Sequence, residues 1–201
     1  MILVKDLSIE RSNKIIFENI NLSISSGKII LLKGKNGSGK TTLLKAIVNI
    51  IEPSSGLIYW KGKPIRNNLY DYFNNITFIG DKTSSLSKLT VKENINIWKR
   101  IFVSNVDKYQ IENILKTLKL NTYLNQKVSS LSFGESKKLE LVRLIIEDKK
   151  IWILDEPLSN LDEESIDIIG QTFQDHRSKE GSIIFSSHQN SDIGVTEEIR
   201  L

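Results

Sequence analysis

The sequence predicts an α/β fold: a mixed sheet core with an antiparallel β subdomain and an inserted helical subdomain. Three observations predict it. The apolar run Ile29-Ile30-Leu31-Leu32 leads into the glycine-rich stretch Gly34-Lys35-Asn36-Gly37-Ser38-Gly39-Lys40-Thr41, and Leu44, Ile47, Val48 and Ile51 follow at i, i+3, i+4 and i+7. That order is buried strand, loop, amphipathic helix. Ahead of it, Ile20, Leu22 and Ile24 alternate with polar residues, as in a half-buried antiparallel strand. Behind it, residues 85–145 repeat their apolar positions at helical spacing, between apolar strands at 76–79 and 151–154.

In chain order, residues 2–9 and 14–24 form two strands around a turn at Arg11-Ser12-Asn13. Strand 28–33, the loop and a helix over 41–51 come next, and Pro53-Ser54-Ser55-Gly56 makes a turn. Leu57–Trp60 and Ile76–Ile79 are strands, with a polar, partly helical stretch between them, and 81–88 is a polar loop. Thr90 and Glu93 make a capping box for a helix carrying Ile95, Trp98 and Phe102. A second helix follows Asp107, with Ile111, Ile114, Leu115 and Leu118 on one face. Helix 134–147 is apolar on two sides, through Leu139, Val142 and Ile146 and through Leu141, Leu144 and Ile145, so it is expected to be largely buried. Strand 151–154 ends at Asp155-Glu156-Pro157. The helix after Asp162 places Ile166, Ile169 and Phe173 on one face, with Gly181 as its C-cap. Strand 183–185 ends at Ser186-Ser187-His188, and a short strand spans 198–201.

The glycine-rich stretch is a G-x-x-x-x-G-K-[ST] phosphate loop in its required strand–loop–helix setting. Gly34, Gly37 and Gly39 let the backbone take conformations that a Cβ blocks. Its N–H groups then converge on phosphate oxygens at a helix N-terminus, where the helix dipole favours anions. Lys40 is placed to reach the β- and γ-phosphates and the Thr41 hydroxyl to ligate Mg²⁺.

Composition narrows the function classes. The 201 residues, 39% hydrophobic, suit one domain over 1–201 with a helical subdomain near 85–145. No apolar run approaches the roughly 20 residues of a membrane-spanning helix. The chain opens directly on strand-like residues, so no signal or transit segment is expected. With no cysteine there are no disulfides or thiolate metal sites, and a cytoplasmic location is the expectation. The charge of +4 comes with scattered basic residues rather than a long block. It reads as an ordinary solvated surface, and no nucleic-acid partner is expected.

Further polar groups stand just past the carboxyl ends of apolar strands, the edge where open parallel sheets bind ligands. Asp155 suits a carboxylate holding Mg²⁺, and Glu156 a general base or a group that orients the attacking water. His188 suits a contact to the γ-phosphate in the transition state. A terminated turn is the plain alternative for the acidic pair, and a structural histidine for His188. Leu131-Ser132-Phe133-Gly134-Glu135 offers two readings as well. Ser132 and Glu135 cap a buried helix, or the same helix N-terminus is a second anion site, with Gly134 allowing close approach. No role is assigned to His176.

Together, Gly34 through Thr42, Leu131–Glu135, Ile151–Pro157, Ser159-Asn160-Leu161-Asp162 and His188 resemble the ABC ATPase family, over essentially the whole chain. The segment from Leu131 separates that family from other P-loop proteins. The resemblance implies a P-loop NTPase of ABC type that binds ATP through Gly34, Asn36, Gly37, Ser38, Gly39, Lys40, Thr41 and Thr42. It implies Mg²⁺ on Thr41 and Asp155, and catalysis by Lys40, Glu156 and His188. It also implies a head-to-tail homodimer in which Ser132 and Gly134 of one subunit meet the γ-phosphate held by Lys40 of the other, with Asp162 carrying coupling across the interface.

Within the family, the likeness is to the ATP-binding subunits of bacterial cytochrome c maturation systems, through Leu89-Thr90-Val91-Lys92-Glu93-Asn94-Ile95, Ile151-Trp152-Ile153-Leu154-Asp155-Glu156-Pro157 and His188-Gln189. It implies a peripheral subunit on the cytoplasmic side of the inner membrane, working with permease subunits of the CcmB and CcmC kind in haem export or delivery. An ATPase subunit of another small-molecule or lipid exporter, and a nucleotide-gated scaffold with little hydrolysis, remain as alternatives. The chain departs from the family pattern in three places. Asp81-Lys82 stands where a glutamine is usual, Arg11 takes the place of an aromatic that stacks on adenine and can offer its guanidinium plane instead, and Glu135 replaces a common glutamine.

Overall fold

A computed structural model describes residues 1–188 and 193–201; Gln189, named above beside His188, lies outside them. The strands are β1 (Ile2–Arg11), β2 (Lys14–Ile24), β3 (Ile29–Lys33), β4 (Ser55–Trp60), β5 (Lys63–Pro64), β6 (Ile76–Ile79), β7 (Ile151–Leu154), β8 (Ser182–Ser186) and β9 (Glu197–Arg200). The helices are α1 (Lys40–Ile47), α2 (Leu69–Asn74), α3 (Val91–Ile101), α4 (Lys108–Thr117), α5 (Phe133–Glu147) and α6 (Glu163–Ser178).

Antiparallel and parallel pairing separate into two sheets. One is four-stranded in the order β2-β1-β4-β5; the other is five-stranded in the order β6-β7-β8-β3-β9, with every pair parallel. The β1–β2 turn falls on Ser12 and Asn13, both at positive φ. The inner parallel strands β3, β7 and β8 are apolar on both faces because both faces are covered, while the edge strand β9 is polar and mostly exposed. Successive side chains alternate between two cores. Ile29, Leu31, Trp152, Leu154, Ile183 and Phe185 pack with α3, α4, α5 and α6. Ile30, Leu32, Ile151, Ile153 and Ile184 pack with α1 and the antiparallel sheet. Each such aliphatic burial stabilises by about 1.5–3 kcal/mol before entropy. The outcome that matters for the site is register: Leu32 pairs with Ser186, and Leu154 with Phe185, so the carboxyl ends of β3, β8 and β7 finish side by side.

Several boundaries differ from the sequence expectation: β1 runs on to Arg11, β4 opens at Ser55 inside the expected 53–56 turn, β9 is 197–200, and two helix ends differ for visible reasons. The first helix ends at Ile47 rather than 51, because Asn49 turns left-handed at φ 56 and the N–H groups of Ile50 and Ile51 both fold back onto the Lys45 carbonyl. At the end of α6 the left-handed residue is Glu180, at φ 63, and Gly181 is not the cap. Gly181 is small for another reason: a Cβ there would lie 2.3 Å from the His176 ring. His176 stacks on Trp152 with centroids 3.7 Å apart, and its Nε2–H donates to the Lys150 carbonyl at 3.1 Å. Burial lowers its pKa to about 4, so the ring is a neutral structural plate. Among the described residues no helix is long and apolar enough to cross a membrane.

Candidate functional site

The phosphate loop hangs between β3 and α1. Gly39, at φ 100, is the N-cap residue of α1, and a Cβ on it would lie 2.9 Å from both Ile16 and Phe17, so β2 of the antiparallel sheet packs against the loop. Gly37 also turns left-handed, at φ 83. Gly34 differs from expectation. It needs no unusual φ; it needs space, since a Cβ would fall 2.4 Å from the Ser38 hydroxyl and 2.8 Å from the Leu201 carbonyl. Lys40 is buried, and its ammonium bends back to donate to the carbonyls of Gly34 at 2.8 Å and Lys35 at 3.3 Å. That uses two of its three donors and leaves one for an anion. Thr41 and Thr42 lie half-buried in the first turn of α1, and Asn36 is exposed on the loop.

Asp155 and Glu156 follow β7 and are held by a serine from the neighbouring strand. The Ser186 hydroxyl, fully buried, donates to Asp155 Oδ1 at 2.7 Å and accepts the Glu156 backbone N–H at 2.9 Å. Glu156 itself sits at φ 48, a left-handed conformation that costs a non-glycine residue about 1–2 kcal/mol. This turn lets two consecutive carboxylates leave the strand end in different directions. His188 Nε2 stands 3.1 Å from Glu156 Oε1, close enough for an ion pair, though the ring is not oriented for a hydrogen bond.

Buried polar atoms without partners gather at this edge. Among the described residues Ser38 Oγ and Asp155 Oδ2 are two of them, and Glu156 Oε1 has the His188 ring beside it but no hydrogen bond. An orphaned polar atom costs about 1–3 kcal/mol, so two at one edge describe a surface completed by a ligand. A hydroxyl beside an anion-binding loop suits phosphate, and the hard oxygens of Asp155 and Thr41 suit Mg²⁺ rather than a softer metal.

The segment from Leu131 realises its structural reading in full. Ser132 Oγ accepts the Glu135 N–H at 3.2 Å, and the Glu135 carboxylate accepts the Ser132 N–H at 2.7 Å. The Tyr123 hydroxyl and that N–H together lower the Glu135 pKa. Gly134 is required by packing, because a Cβ would lie 2.9 Å from the Asn160 carbonyl oxygen. Asp162 caps α6 by accepting the Ser165 N–H at 2.9 Å and pairs with Lys138 of α5 at 3.1 Å; the Ser165 hydroxyl and N–H, then Lys138, hold its pKa down at about 2. Within one chain, then, Ser132 caps α5, Gly134 lies against Asn160, and the Lys138–Asp162 pair links α5 to the start of α6. Arg11 stands exposed at the β1–β2 turn.

Sequence reasoning passed over two residues here. Ser186 was legible only as a small polar residue closing an apolar strand. Lys137 is 3% exposed and donates to the Asp155 carbonyl at 3.4 Å. Burial lowers its pKa, opposed by the carboxylates of Asp155, Glu140, Glu156 and Asp81.

Residues 17–159 match the family described as ABC transporter. Among curated proteins the chain is similar to the cytochrome c biogenesis ATP-binding export protein CcmA of Idiomarina loihiensis, at 33% identity over 96% of this chain and 88% of the relative. It is also similar to the CcmA of Vibrio cholerae, at 32% over 100% and 98%, and to that of Reclinomonas americana, at 37% over 91% and 82%. Among solved structures it resembles an ABC transporter ATP-binding protein from Pyrococcus furiosus, with a TM-score of 0.85, 26% identity and coverage of 100% and 96%. The dimeric ATP-binding cassette MJ0796, bound to ADP and Pi, shares the fold at a TM-score of 0.76 and 20% identity, over 94% of this chain and 88% of that one.

Proposed function

Because the chain belongs to the ABC transporter family of ATP-binding proteins, we infer that it is the ATP-hydrolysing subunit of a membrane complex serving cytochrome c biogenesis, in haem export or delivery. The observation that carries the hydrolysis is the convergence of a phosphate loop, an acidic pair and a histidine at adjacent strand ends, where buried polar atoms await partners. The pathway is supported by near-full-length similarity to proteins named CcmA.

The residues take these roles. The loop from Gly34 to Ser38 and the N-terminus of α1 bind the phosphates, and the free donor of Lys40 meets the β- and γ-phosphate oxygens. Thr41 and Asp155 hold Mg²⁺, which when bound neutralises charge developing on the transferred phosphoryl group. Ser186 fixes one Asp155 oxygen, so the other faces the site. Glu156 accepts the proton of the attacking water, and His188 holds that carboxylate in line and meets the γ-phosphate. The chain acts as a single domain, with 85–145 as its helical subdomain. A second copy binds head to tail, so that its Ser132 hydroxyl and the α5 N-terminus at Gly134 close over the nucleotide, with Asp162 at the interface. Permease subunits of the CcmB and CcmC kind hold the dimer on the cytoplasmic face of the membrane.

Gentle purification of a tagged protein from its native membranes tests the pathway. Recovery with haem-handling membrane proteins supports it. Recovery with an unrelated permease retains the ATPase and moves the cargo elsewhere.

A further inference from the structure

Glu140 lies on α5, 1% exposed, eight residues from Ser132. Its Oε1 accepts the backbone N–H groups of Ser84 at 2.8 Å and Ser85 at 2.7 Å, and its Oε2 accepts the Ser84 hydroxyl at 2.9 Å. Arg143 donates to Glu140 Oε2 at 3.1 Å and to the Ser84 hydroxyl at 2.7 Å. Arg143 also pairs with Glu147, which accepts the Thr77 hydroxyl of β6, and its guanidinium lies over Trp98 and Phe102. From the α3 side, buried Asn94 accepts the Leu86 N–H at 2.7 Å and donates to the Leu86 carbonyl at 3.1 Å. Three consecutive loop residues therefore have their backbone fixed by buried side chains of α5 and α3.

The other end of this loop reaches the phosphate-binding helix. Asp81 lies 3.6 Å from Lys45 of α1. Residues 81–84 are exposed and polar, and supply no core of their own to fix their position. Burying a carboxylate to hold such a loop carries a desolvation penalty that a loop of no consequence would not require. A surface ion pair at Asp81, the covalent chain over 82–83 and the hydrogen bonds at 84–86 lead in turn from α1 to Glu140. From there α5 is a rigid rod, and Ser132 lies roughly 12 Å further along it at ~1.5 Å per residue.

We propose that Glu140 is a positioning residue: it ties the loop that senses α1 to the helix that presents Ser132 and Gly134, so that nucleotide bound on one copy sets the docking of the second. This rests on the dimer reading above. Glu140 touches no nucleotide in this account and acts only through the placement of α5.

The test uses the full chain carrying Glu156→Gln, in which bound ATP persists. A fluorescent ATP analogue at low protein concentration reads nucleotide affinity of the monomer. Light scattering across an ATP titration reads dimer formation. Adding Glu140→Gln should leave monomer affinity within about twofold and raise the ATP concentration for half-dimerisation about tenfold, the worth of one hydrogen bond to a charged acceptor. Ser84→Ala sits on the surface side of the contact, keeps the buried carboxylate intact and guards against misfolding; it should give roughly threefold. Asp81→Asn combined with Glu140→Gln should cost less than the product of the single effects, since both break one connection. Dimerisation of Glu140→Gln and Ser84→Ala at the parent's ATP concentration overturns the inference and leaves the dimer reading standing. Failure of the Glu156→Gln parent to dimerise overturns both.

Discussion

Replacing Ser186 with alanine isolates the contact that the site depends on most. The hydroxyl is fully buried and serves two neighbours, donating to Asp155 Oδ1 and accepting from the Glu156 N–H. Alanine removes a hydrogen bond to a charged acceptor, worth about 1.5–3 kcal/mol, and strands a buried backbone N–H at about 1–3 kcal/mol. The space of one oxygen is small and closed, so water does not enter to repair the loss. We expect a destabilisation of about 3 kcal/mol, which for a chain of this length lowers the Tm by roughly 6–12 °C. Thermal unfolding followed by circular dichroism at neutral pH measures it. The cost should fall by about half in an Asp155→Asn background, because the acceptor is then uncharged. A Tm within about 2 °C of wild type, or a cost unchanged by Asp155→Asn, would refute the reasoning that this serine holds the acidic pair.

Other outcomes follow from the same geometry. His176 has its pKa lowered to about 4 by burial, against a usual value near 6.5. The unfolded chain therefore binds the proton first, and stability is lost as pH falls from about 6.5 towards 4, by roughly 2–3 kcal/mol. Urea midpoints across that window should show the loss in wild type and a shallower slope in His176→Gln. Arg143→Met leaves Glu140 and Glu147 buried without their shared cation. Breaking such a pair costs about 3–5 kcal/mol, measurable by urea unfolding. Gly134→Ala drives a Cβ to 2.9 Å from a backbone oxygen at Asn160; α5 and the following loop must part, so steady-state ATP turnover should drop several-fold with little change in monomer nucleotide affinity.

Features governed by neighbouring residues were legible in the sequence. The phosphate loop, the capping boxes at Thr90 and Ser132, and the apolar strands ending at Asp155 and Ser186 are each written within about ten residues, and each formed where it was expected. Contacts between distant segments were not legible. Glu140, Arg143 and Glu147 fall at i, i+3 and i+7, a spacing that on an isolated helix reads as a solvated ladder of charges. They are buried because α3 and the loop near Ser84 close over them, and nothing local announces that. Ser186 gained its role from strand order, which sets β8 between β7 and β3. Gly134 shows a converse case. The sequence suggested room for an anion, while in the folded chain the nearest reason for a glycine is the Asn160 carbonyl. The early end of α1 turned on one left-handed asparagine, which apolar periodicity through Ile51 concealed.

The central claim is that Glu156, set at the end of β7 beside His188 and the phosphate loop, carries ATP hydrolysis. Single-turnover hydrolysis by wild type and by Glu156→Gln, with nucleotide binding measured in parallel, tests it most directly. The account predicts that the variant binds ATP within about threefold of wild type and hydrolyses it at least about a hundredfold more slowly, the scale of a lost general base. Hydrolysis by the variant at the wild-type rate would contradict it.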